Sequence, residues 1–177
     1  MKTNFRLERA KSNIDWIGQK VTGSHNGTIG IKEAEFAFNG DTLSGGKVVI
    51  DTTAIKILDI TDAETNAQFA GHLASDDFFN SANFPEAVFV ITATGPGSDG
   101  TTQIMGDLTI KGITHPITFD ATINAIENGL TLAGKMIIDR TKYGIKFRSG
   151  NFFTNLGDTL IYNDFQLIFH LTAKVAE

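Results

Sequence analysis

From Ile117 to Ile123 apolar and polar side chains alternate without interruption, Ile117, Phe119, Ala121 and Ile123 on one face and Thr118, Asp120 and Thr122 on the other. A period of two belongs to an extended strand, whose successive side chains point to opposite faces of a sheet. The signature recurs. Ile14 and Trp16 alternate within 13–22, and Ala34, Phe36 and Phe38 share a face against Glu33 and Glu35 within 28–38. Leu130, Leu132, Met136 and Ile138 form another inward face, and Phe165, Leu167, Phe169 and Leu171 alternate with Gln166, Ile168, His170 and Thr172 in a last strand over 159–173. Apolar runs at 45–53, 87–94 and 101–111 bring the expected strands to eight. Asn26-Gly27, Asn39-Gly40, Lys111-Gly112 and Asn128-Gly129 offer tight hairpin turns between them. The 18 glycines, mostly at such turns, suit an antiparallel all-β chain better than a parallel α/β one.

Eight antiparallel strands, each with one apolar face, close into a barrel or stack as a sandwich, and closure removes the edges that would otherwise pair with other chains. The expectation is a single antiparallel, eight-stranded, lipocalin-like barrel, one domain over residues 1–177 with its core at about 13–173. A barrel of that size has an interior just wide enough to be filled by its own side chains or to hold one small ligand.

One long segment departs from the pattern. In 61–89, TDAETNAQFAGHLASDDFFNSANFPEAVF, Thr61 and Glu64 have the spacing of a capping box, and Asp62 places negative charge where a helix dipole favours it. A helix is expected over about 62–73, its modest apolar stripe made of Ala63, Ala67, Ala70 and Leu73 beside Phe69. Ser75 offers a second cap to a turn through Asp76 and Asp77, after which Phe78, Phe79 and Phe84 place three rings in a polar loop. Pro85 keeps Phe84 out of a helix and releases the chain into the next strand. Rings in a loop need a surface to cover, so helix and loop are expected to form a lid at one barrel end. Phe147, Phe152 and Phe153 also lie outside the alternation. A mouth lined by rings suits an apolar guest, although rings that simply plug the barrel satisfy the same pattern.

Within this segment His72-Leu73, Asp77-Phe78-Phe79, Phe84-Pro85 and Phe89 follow one another in an order that resembles the YceI-like, polyisoprenoid-binding proteins. A second matching block runs from Gly106 through Leu108, Thr109, Gly112 and Thr114 to Pro116, and a third, looser one from Asp139-Arg140 to Tyr143-Gly144-Ile145. The resemblance covers roughly 13–173 and departs from the family pattern at the start and around 147–156. It implies a non-catalytic carrier or store for an isoprenoid or other long-chain lipid, such as a polyprenyl phosphate or a prenylated quinone, and pairing into a homodimer. It also implies that the residues need only supply burial and shape. The expected lining is Trp16, Phe36, Phe38, Phe89, Ile91, Leu108, Phe119, Met136 and Phe169, with Phe78 and Phe79 at the entrance.

Several other chemistries are excluded or weakened by the sequence. A net charge of -5 and a pI near 5.3 leave no basic stripe to displace counterions from a nucleic acid. Cysteine is absent, which removes disulfides, thiolate metal sites and cysteine nucleophiles together. No apolar run approaches the roughly 18 residues of a membrane-spanning helix. MKTNFRLERAKSN lacks the apolar middle of a signal peptide, so the expected location is periplasmic or secreted if a signal peptide preceded this sequence and was removed, and cytoplasmic otherwise. Gly95 to Gly100 spells the dinucleotide fingerprint but leads into a strand instead of a helix, so no cofactor is expected. The histidines at 25, 72, 115 and 170 show no metal-ligand spacing, no metal is expected, and no serine occupies a nucleophile elbow. The rival reading is an enzyme, with or without metal, built on His72, Asp76 and Asp77. Arg140, Lys142, Lys146 and Arg148 form the one basic concentration, and Arg140 and Arg148 are the expected partners of an anionic head group.

Overall fold

The computed structural model describes residues 2–150 and 160–176. In chain order these form β1 (Lys2–Leu7), β2 (Asn13–Lys20), β3 (Gly23–Asn39), β4 (Thr42–Ile57), the helix α1 (Ala63–Ala74), β5 (Glu86–Pro96), β6 (Thr102–Ile110), β7 (Ile113–Ile126), β8 (Gly129–Asp139) and β9 (Ile161–Val175). Every neighbour pair is antiparallel, and the ladder runs β3-β2-β9-β8-β7-β6-β5-β4 before β4 returns to β3 and closes the barrel.

Nine strands occupy eight positions because β1 and β2 lie end to end between the same two neighbours. β2 pairs with residues 23–28 of β3 and 161–170 of β9, while β1 takes residues 35–39 of β3 and 173–175 of β9. The N-terminal β1 lies outside the expected 13–173 core, although Thr3, Phe5 and Leu7 alternate inward against Lys2, Asn4 and Arg6. Its Phe5 meets Phe38 edge-on, ring centroids 5.2 Å apart, and helps fill the closed end of the barrel.

Two turn expectations are corrected. Asn26-Gly27 makes no turn but lies inside β3, where glycine is needed because a Cβ on residue 27 would sit 1.8 Å from the Lys56 carbonyl oxygen. The actual bend is at Val21-Thr22. At the other hairpin the turn is Glu127-Asn128, with Asn128 at a φ of 58°, and Gly129 opens β8 where a side chain would meet the Ala173 carbonyl. Lys111-Gly112 turns as expected, both residues at positive φ.

The helix begins one residue later than a Thr61 cap would place it. Asp62 is the N-cap and accepts from the Thr65 N–H at 2.9 Å and from its hydroxyl at 2.6 Å. The Asn66 amide donates to the carbonyls of Ile57 and Ile60, tying the helix to the end of β4. Leu73 is the helix's buried residue. Beyond it, Ser81 donates to the Thr52 carbonyl and Thr52 to the Phe84 carbonyl, which pins the aromatic loop against β4.

Candidate functional site

At the end of the barrel where α1 sits, the strands enclose a chamber of about 590 Å³. Strand residues Trp16, Ile29, Ile55, Ile110 and Ile138 form its wall, and Phe69, Leu73, Phe78 and Phe79 cover it from the helix and loop. Phe78, His72 and Phe147 meet mutually edge-on, with centroid separations of 5.0, 4.6 and 5.6 Å, and Phe79 faces Phe165 at 6.2 Å. The loop rings thus cover a hollow mouth.

Deeper in the barrel the interior is almost filled. A residual pocket of about 50 Å³ is enclosed by residues that include Phe36, Phe89, Ile91, Leu108, Phe119, Met136 and Phe169. Phe89, Phe119 and Phe169 form a ladder with successive centroids 5.5 Å apart. The expected lining therefore divides. Trp16, Phe78 and Phe79 face the large chamber, Leu108 faces both spaces, and Phe36, Phe89, Ile91, Phe119, Met136 and Phe169 surround the small pocket. Phe38 is corrected to neither, because it packs against Phe5 in the closed end. Phe165 was legible as an alternating position but was not singled out as lining, and Ile55 lies beyond the expected 45–53 strand because β4 continues to Ile57.

The Trp16 indole N–H is shared between the carbonyls of Thr28 at 3.2 Å and Lys56 at 3.1 Å, which satisfies its polar end and leaves the ring as chamber wall. The missing Cβ of Gly27 lets this happen, since it would come within 2.8 Å of the indole.

Polar groups gather at the rim. His25 pairs through Nδ1 with Asp59 at 2.8 Å and lies 4.9 Å from the Phe69 ring, joining β3 to the lid. Burial alone would raise Asp59, but the Asn26 N–H and His25 outweigh it and hold the carboxyl below its ordinary range. His72 pairs through Nε2 with Asp77 at 2.9 Å. Asp76 turns elsewhere: the Lys111 ammonium lies 3.6 Å from its carboxylate, which also accepts from Asn80. His72, Asp76 and Asp77 therefore do not converge on a common point. His115 contacts the Lys142 carbonyl at 2.8 Å and the Tyr143 ring, fixing the turn after β8.

Arg140 is not a solvent-facing head-group ligand. It is 4% exposed, and its Nε, Nη1 and Nη2 donate to the carbonyls of Tyr162, Ile145 and Ile161 at 2.9–3.0 Å. Burial pushes its pKa down, partly offset by the charge of Asp139. The guanidinium joins the β8–β9 connection to the first residues of β9. Both arginines line the chamber, but Arg148 differs in being exposed, its guanidinium carbon 5.0 Å above the Phe147 ring. Phe84 turns away from the chamber to pack beside Gly112, and Phe152 and Phe153 lie outside the described residues.

A barrel with this lid can be compared with known proteins. The family model of the YceI-like domain matches residues 5–173. The chain belongs to the YceI-like family. The match takes in the second half of β1, which lies outside the sequence motifs. A UPF0312 protein of Shewanella denitrificans is 37% identical over 89 residues, covering 50% of this YceI-like chain and 44% of its own length, so the match spans less than half of that relative. The crystal structure of Burkholderia cenocepacia BcnA superposes with a TM-score of 0.76 at 22% identity, over 95% of this chain and 99% of the other. A polyisoprenoid binding domain from Saccharophagus degradans, implicated in plant cell wall breakdown, superposes with a TM-score of 0.67 at 11% identity, over 97% and 98%. At these identities the two structures share the YceI-like barrel.

Proposed function

We propose that this YceI-like protein is a non-catalytic carrier of an isoprenoid lipid, its tail in the mouth chamber and its head group at the rim beside Arg148. The observation that carries the reading is a chamber of about 590 Å³ lined mostly by apolar side chains, with the exposed Arg148 among its lining residues. That volume lies inside the roughly 300–1,000 Å³ range of small-molecule sites. At about 30 Å³ per heavy atom, the share of a water in the liquid, it takes roughly 20 carbons, or about four isoprene units. Burial at about 0.8 kcal/mol per methylene dominates binding before ordering costs, so tail outweighs head. The polyisoprenoid binding described for the Saccharophagus domain supports the reading. An enzyme built on His72, Asp76 and Asp77 gains no support, because Asp76 is engaged by Lys111 and Asn80.

Trp16, the single tryptophan, lines the chamber and reports on its occupancy. Delipidated protein titrated with geranylgeranyl diphosphate or a short-tailed prenyl quinone is expected to change Trp16 emission saturably, and organic extraction of protein purified without detergent to release a prenyl lipid detected by mass spectrometry. An extract without prenyl lipid together with no response to either ligand refutes the proposal.

A further inference from the structure

The large chamber and the small deep pocket share three lining side chains, Ile50 of β4, Leu108 of β6 and Leu167 of β9. These strands stand apart around the closed ladder: β5 separates β4 from β6, and β7 and β8 separate β6 from β9. Their side chains converge from separated parts of the wall on one level of the barrel axis, and all three are buried. We infer that Ile50, Leu108 and Leu167 form a collar that ends the lipid tail and so sets the preferred chain length. This rests on the reading of the mouth chamber as a prenyl site.

A tail entering from the lid advances along the barrel axis until it reaches the collar. The space beyond it, about 50 Å³ among close-packed rings, has room for roughly two carbons. A further isoprene unit would have to displace the Phe89–Phe119–Phe169 ladder or remain outside the mouth, where it gains no burial. The chamber accommodates roughly 20 carbons, so the tail that fits has about four units. Leu108→Ala removes three carbons from the collar and joins the two spaces. Together with the deep pocket this yields room for roughly five carbons, one further isoprene unit.

The test offers delipidated protein an equimolar mixture of farnesol, geranylgeraniol and geranylfarnesol, with three, four and five units, and reads the bound species by native mass spectrometry. The four-unit alcohol is expected to dominate in the unsubstituted protein and the five-unit alcohol in Leu108→Ala. Each should exceed its shorter neighbour by at least about tenfold, since one unit buries five more carbons and roughly two buried methylenes already account for a tenfold difference. Leu167→Ala opens the same collar from β9 and should move the preference in the same direction, so the result does not depend on one variant folding well. Phe38→Leu, which loosens the closed end without touching either cavity, should leave it unchanged. A four-unit preference retained in both collar variants overturns the collar while leaving the carrier reading intact, as does an equal shift in Phe38→Leu. An unsubstituted protein that takes none of the three alcohols overturns both.

Discussion

Replacing Arg140 with glutamine should destabilise the fold while Arg148→Gln should not, and the contrast can be worked from geometry. Arg140 supplies three donors to the carbonyls of Tyr162, Ile145 and Ile161, of which the Ile145 bond is fully buried and the others partly so. Glutamine can reach at most one or two of them. An unsatisfied buried carbonyl costs about 1–3 kcal/mol and a part-buried one less, so the gross loss is about 2–5 kcal/mol. Relief from burying the charge offsets part of it, leaving about 3 kcal/mol. For a chain of this length that corresponds to a fall in Tm of about 6–12 °C. Arg140→Lys should recover only a fraction, because a point ammonium cannot span three carbonyls on two segments. Arg148 is exposed over Phe147, where its contact is worth about 0.5–1 kcal/mol. Urea unfolding followed by Trp16 emission gives both values. If Arg140→Gln lies within about 0.5 kcal/mol of the unsubstituted protein, the three-carbonyl clamp is refuted.

Arg148→Gln should instead weaken binding of prenyl phosphates while leaving neutral prenyl quinones almost unchanged, and equal loss of both in a Trp16 titration would remove Arg148 from the head-group site. Gly27→Ala should prevent folding or abolish the native Trp16 emission, because its Cβ would meet the Lys56 carbonyl at 1.8 Å and the indole at 2.8 Å; a native near-ultraviolet circular dichroism spectrum would contradict this. Asp59 and Asp62 both have lowered carboxyl pKa values in the folded chain. Each therefore contributes stability that is present above its ordinary pKa near about 4 and lost as pH falls through the lowered folded value. Asp59→Asn should flatten the dependence of the urea midpoint on pH below about 4, and an unaltered slope would show that His25 and Asn26 do not stabilise the charge. Phe119→Asp places a carboxylate within the aromatic ladder and should yield no soluble folded protein, a result read by expression and circular dichroism.

The barrel was legible because each strand carries its own period. Ile117 to Ile123 and Phe165 to Leu171 announce inward faces without any knowledge of their neighbours, and β7 and β9 follow them. The misread turn at Asn26-Gly27 shows where such local reading ends. That dipeptide is a turn signal in isolation, yet its glycine answers a requirement set 29 residues later by Lys56 and 11 residues earlier by Trp16. Arg140 misleads for the same reason. Among Lys142, Lys146 and Arg148 it reads as one cation of a basic loop, and only the return of the chain at Ile161 and Tyr162 shows that its donors are committed to carbonyls. The His25–Asp59 pair spans 34 residues with no motif to link them.

Whether the interior is hollow was beyond the reach of patterning, because an inward apolar residue looks the same in a filled core and in a cavity wall. The difference lies in what stands opposite it. Through the lower barrel Phe36, Phe89, Phe119 and Phe169 project toward one another across a closed sheet and leave about 50 Å³. At the mouth the wall changes to Ile29, Ile55, Ile110 and Ile138, smaller side chains on strands that continue past the packed rings. The lid spans this wider space from outside. Asn66 anchors α1 to the end of β4, and Thr52 with Ser81 anchors the loop, so Phe69, Phe78 and Phe79 are suspended over the opening. The chamber thus arises from a change in side-chain volume along the strands combined with polar tethers that hold the aromatic lid off the layer below.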